Sequence, residues 1–177
     1  MKHENVKKLC FMGVLLALGI VLPFVTMQVP RIGNMLLPMH IPVLLCGFLC
    51  GGPSGFLLGL ILPIVRSLLF TAPPMMPTAV AMAAELATYG LVTGVFYQKL
   101  KNHRFRIYGS LIRAMILGRI VWGLVSMGLF RIMGNSFTWK LFALQGFVNA
   151  LPGIVIQLIL IPVIVIAVQR VQGQEEY

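Results

Sequence analysis

The run Lys8 to Val29, KLCFMGVLLALGIVLPFVTMQV, decides how the rest of the chain is read. It is apolar over enough residues to cross a hydrocarbon layer, which takes about 20. It follows a short basic start that holds Lys2, Lys7 and Lys8. No small-residue cleavage site interrupts it, so it is expected to be a retained first helix rather than a signal peptide. The whole chain repeats this character. Of its 177 residues, 59% are hydrophobic and only 10% charged, and the mean hydropathy is +0.95. Soluble domains carry roughly 25% charged residues. The expected fold is all-α: a single integral membrane domain over residues 1–177, a bundle of about six transmembrane helices.

Outward from the first run, the remaining spans are separated by breakers and charges. A second apolar run covers about Pro38 to Gly51 and is short for a crossing. Pro38 and Pro42 make its outer end irregular, which lipid does not tolerate unless protein or a water-filled cavity surrounds it. Gly51-Gly52-Pro53-Ser54-Gly55 is the strongest turn signal, placing a third span at about Phe56 to Phe70. The proline-rich Thr71 to Pro77 connection leads to a fourth span, Thr78 to Tyr97. A fifth covers about Ile107 to Phe130 and a sixth about Leu141 to Val168.

The net charge of +10 orients this bundle and gives no support for nucleic-acid binding. On the inner segments lie Lys2, Lys7, Lys8, Lys99, Lys101, Arg104, Arg106 and Arg170; on the outer loops, only Arg31, Arg131 and Lys140. That asymmetry predicts both ends on the cytoplasmic side, by the positive-inside rule. Cys10, Cys46 and Cys50 lie in apolar runs without the repeated spacing of a disulfide framework or zinc site, so no metal is expected.

Ionisable groups in a bilayer are costly and turn toward a bundle interior or cavity. Converting sequence position to depth brings Arg66, Glu85, Tyr89, Arg119, Trp122, Gln145 and Asn149, with His40, to one outward-opening cavity of small-molecule type. The alternative is an internal ion pair in which Glu85 neutralises Arg66 or Arg119. Arg113, nearer the inner end, is expected to snorkel. Catalysis has little to work with. One embedded acid and three scattered histidines offer neither a nucleophile and base nor a His-Glu-x-x-His helix, and no phosphate-binding loop serves ATP. The chain is not expected to be an enzyme or to hold a cofactor. Small residues repeat at i, i+4: Gly13 with Ala17, Gly47 with Gly51, Gly55 with Gly59, Ala79 with Ala83 and Ala87, and Gly90 with Gly94. Such faces let membrane helices approach closely, here expected mainly inside the bundle.

Four stretches together carry a resemblance: Leu9 to Leu22 after the basic start, PMHIPVLLCG at residues 38–47, the GGPSG turn, and AAELATYG at residues 83–90. The chain resembles the substrate-binding S component of energy-coupling factor (ECF) vitamin transporters over almost its whole length. The resemblance implies a six-helix capture subunit in a bacterial cell membrane. Its substrate would be a water-soluble vitamin or precursor, with a lean to pantothenate from the excess of embedded arginine. Its implied partners are a transmembrane coupling protein and two cytoplasmic ATPases. The family's Ala-x-x-x-Ala docking pair on the first helix corresponds here to Gly13 and Ala17, a departure at the first position that keeps the face smooth. The competing reading is a stand-alone secondary transporter or channel for a small metabolite.

Overall fold

The computed structural model describes residues 2–26, 36–100, 105–134 and 150–171. Among them are six α-helices: α1 (Lys2–Thr26), α2 (His40–Cys50), α3 (Gly52–Phe70), α4 (Val80–Lys99), α5 (Arg106–Ile132) and α6 (Leu151–Val171). A π-helical turn, Met75–Ala79, leads into α4. Five of the six helices are long and apolar enough to cross a membrane. The protein is thus an all-α, multi-pass membrane bundle, as its composition requires.

The short helix α2 is the centre of the bundle. Its 11 residues rise only about 16 Å, well under the roughly 30 Å of a hydrocarbon core. Ten of the 11 are buried, including Val43, Leu44 and Cys46 with no exposure at all. Helices α1, α3, α4 and α6 all pack against it. A helix wrapped in protein can be short and start irregularly, because its unpaired backbone groups never face lipid. The lead-in is indeed irregular: Leu37 has φ +50°, and its carbonyl accepts from the His40 amide at 3.0 Å.

The outer helices show the inverse pattern. Val14, Val21, Leu68, Leu124, Ile159 and Val163 are all more than half exposed. A soluble protein would not present such a surface; lipid covers it.

The break between α2 and α3 is narrower than the GGPSG cluster suggests. Gly51 alone makes the turn, at φ +94°, a conformation that glycine adopts without a Cβ clash. Gly52 to Gly55 are already helical, with Pro53 in the first turn, where its missing N–H is no loss. These glycines serve packing. A Cβ on Gly55 would stand 2.7 Å from the Gly90 carbonyl oxygen, and one on Gly47 would stand 2.6 Å from the same atom. Gly59 lies similarly against Leu86, and Gly94 against Gly52. The stripes on α3 and α4 are therefore an internal crossing, with the backbones almost touching. Ala79, Ala83 and Ala87 continue the buried face of α4.

Before α4 the helix starts late. Met76 is extended, at φ −115° and ψ 135°, because Pro77 follows it and disfavours the helical region. Together with the left-handed Thr71 cap that ends α3, this forces the chain to double back across one end of the bundle. The basic residues gather at the opposite end, where Lys8, Gly51, Gln98 and Arg106 surround one cavity. Gln169 near the end of α6 donates to the Tyr97 hydroxyl, so α6 finishes at the same basic end where α1 begins.

Candidate functional site

The polar residues of α2, α4 and α5 meet inside the bundle. Glu85 sits one turn before Tyr89 on α4, both on the face turned to α2 and α5, and they are 2% and 1% exposed. From α5, Arg119 Nη1 reaches the Glu85 Oε1 at 3.0 Å. From the start of α2, His40 Nε2 lies 3.5 Å from the same oxygen, and its ring meets Tyr89 edge-on at 5.1 Å. Tyr89 completes the group, packed against His40. Gly118, next to Arg119, makes room for it: a Cβ there would stand 3.1 Å from the Tyr89 ring.

A buried pair of this kind holds together because each charge removes the other's desolvation penalty. Of the two arginines weighed as counter-ions to Glu85, the structure selects Arg119. Among the described residues, it does not bring the expected side chains around one cavity. Glu85, Tyr89 and Arg119 form a packed cluster, and none of them lines the cavity that His40 opens onto. Their side chains close on one another instead of surrounding a hollow.

Arg66 goes elsewhere. It sits on the last turns of α3, and its Nε donates to the Ala72 carbonyl at 3.0 Å. That contact exists because the left-handed Thr71 cap folds the next residues back over the helix end. Its guanidinium also lies over the Phe24 ring at 5.1 Å, and Phe24 in turn meets Phe70 edge-on at 4.8 Å. So held, Arg66 lines a cavity of about 400 Å³ at the end remote from the basic residues. Pro23, Pro38, Pro73 and Pro74 stiffen its walls, Met39 and Met82 add soft apolar surface, and Thr78 contributes a hydroxyl. His40 is the second basic side chain in its lining. An apolar hollow of this volume with a few polar anchors has the make-up of a small-molecule pocket.

His40 therefore belongs to both places, one part of it in the cavity wall and Nε2 beside the Glu85 carboxylate. Trp122, about one turn beyond Arg119, is half-buried on α5. Gln145 and Asn149 lie outside the described residues. Arg113 is exposed and lies over the Phe96 ring at 5.3 Å, in keeping with the snorkelling expectation.

Gly13 and Ala17 are both exposed, and among the described residues nothing comes within 4 Å of a Cβ built on Gly13. In this Gly13 differs from the glycines of α3 and α4, which meet backbone at once.

Two features escaped the sequence reading. Gln157 is 1% exposed in α6, and its amide nitrogen has no hydrogen-bond partner among the described residues. Its signal was legible as a lone amide inside an aliphatic run. The other is the proline wall of the cavity, which depends on how the Thr71 to Pro77 segment folds back.

The sequence matches the family described as "ECF transporter, substrate-specific component" over residues 7–165. The chain belongs to that family. It is therefore the substrate-specific component of an ECF transporter, a membrane subunit that binds a small molecule and works with an ECF module. Comparisons with curated proteins and with solved structures return no match. Among the described residues there is no group of three or more metal-ligating side chains.

Proposed function

We propose that this S component captures a water-soluble vitamin or vitamin precursor from the outer side of a bacterial cell membrane and delivers it to an ATP-driven importer. The observation that carries this reading is the cavity of about 400 Å³ at the end remote from the basic residues, with Arg66 and His40 in its wall. By the positive-inside rule that end is the outer one. A planar guanidinium facing an apolar hollow favours a ligand that joins a carboxylate or carbonyl to an apolar body. Pantothenate has that character and is the favoured candidate. The Glu85–Arg119 pair and Tyr89 then act from behind the pocket, holding His40 in its wall.

Transport needs partners that this chain does not supply. Gly13 and Ala17 form the smooth exposed face suited to a transmembrane coupling protein, which two cytoplasmic ATPases would drive. In this reading the chain is a binding subunit and not an enzyme.

The test is mass spectrometry of the small molecule that co-purifies with the detergent-solubilised protein, followed by uptake into vesicles. A single vitamin-sized ligand, with uptake that requires the coupling and ATPase subunits, is the expected result. Uptake by this chain alone would support the secondary-transporter reading instead.

A further inference from the structure

The basic end holds a second cavity, also of about 400 Å³, for which substrate capture has no use. Lys8 of α1 and Arg106 at the start of α5 enter it from different helices, and among the described residues no carboxylate lines it. Arg106 is half-buried and lies over the Tyr97 ring at 5.0 Å. Tyr97 is itself fixed, its hydroxyl accepting from the Gln169 amide of α6. The guanidinium is thus placed before any ligand arrives, and little side-chain freedom remains to be lost on binding. Cys50, at the end of α2, lines the same cavity.

The helix ends around this cavity do not set its sign. Helices α2 and α4 end here and present partial negative charge, while α3 and α5 begin here and present partial positive charge. The opposing dipoles largely cancel, which leaves the two cations to decide. The neutral side chains of Tyr97 and Gln98 add hydrogen-bonding groups to the same wall.

We propose that this cavity binds a phosphate group, presented by the headgroup of an anionic phospholipid. A guanidinium that pairs in bidentate fashion beside an ammonium that acts as a point charge matches a phosphodiester. Basic pockets between helices at the membrane surface hold acidic headgroups for this reason. The flanks favour a lipid over a free ion. Leu9, next to Lys8, and Phe105, next to Arg106, are 69% and 70% exposed, apolar surface against which acyl chains can lie.

The experiment is native mass spectrometry of the full chain in detergent, incubated with phosphatidylglycerol, phosphatidylcholine or inorganic phosphate. Phosphatidylglycerol adducts are expected to exceed phosphatidylcholine adducts about tenfold. Lys8→Gln with Arg106→Gln should bring them to the phosphatidylcholine level, whereas Lys7→Gln with Lys99→Gln, exposed cations outside the cavity, should leave them unchanged. Equal losses in the two double variants would reduce the effect to general surface charge and overturn the proposal. Displacement of the lipid by millimolar inorganic phosphate would overturn the lipid source and assign the cavity to free phosphate. Should the Lys8/Arg106 variant fail to fold, thermal unfolding of the wild type decides: stabilisation by phosphatidylglycerol over phosphatidylcholine is expected, and its absence rejects the site.

Discussion

Arg119 Nη1 lies 3.0 Å from Glu85 Oε1, so one ion pair ties the middle of α5 to the first half of α4. Both residues are more than nine-tenths buried. Removing one partner of such a pair leaves an uncompensated charge, at a cost of about 3–5 kcal/mol. Glu85→Gln should therefore lower the Tm in detergent sharply, and adding Arg119→Met should restore part of the loss. Thermal unfolding of the two singles and the double gives the coupling directly. Additive effects would show that the pair does not act as a unit.

Arg66 makes a different prediction because it faces the cavity. Arg66→Gln should weaken capture of the co-purifying ligand about tenfold or more, the order of one charged hydrogen bond. Calorimetric titration measures this, with the Tm recorded alongside because Arg66 also holds Ala72. Unchanged affinity would remove Arg66 from the site.

At the crossing of α3 and α4, Gly90 has no room for a side chain. A Cβ there would enter the backbone of Gly55. Gly90→Val should destabilise the protein by at least about 1–3 kcal/mol, the usual range for overpacking. The readout is again thermal unfolding, together with the yield of monodisperse protein.

Gly13 supplies the contrast. Among the described residues nothing lies within 4 Å of its would-be Cβ, so Gly13→Leu should leave Tm and ligand affinity as they are. Uptake by the assembled transporter should nevertheless be lost, since the bulky side chain blocks a close helix approach. Normal uptake by this variant would reject the docking role.

Much of this was readable from residues alone. Apolar runs of spanning length, charges between them and the bias of lysine and arginine toward one end follow from the solvent that each segment must face. Glu85, Tyr89, Arg119 and His40 were legible as an inward-facing group because polar side chains at bilayer depth have nowhere else to go. The step from depth to cavity was not legible. Residues at one level can surround a hollow or fill it, and helix periodicity does not distinguish the two. Arg66 shows the same limit. One of its partners, Ala72, is only six residues away, yet the contact depends on the left-handed turn at Thr71.

The sequence by itself determined that this chain is a helical membrane bundle, and which end is basic, because hydrophobic length and charge placement act through the solvent and not through any partner residue. Only the tertiary structure decided that Glu85 takes Arg119 and that Arg66 turns to a separate proline-walled cavity. It also decided that the glycines of α3 and α4 pack on each other while, among the described residues, Gly13 stays bare. Those outcomes depend on distances of a few ångströms between segments far apart in the chain, and such distances are set by packing.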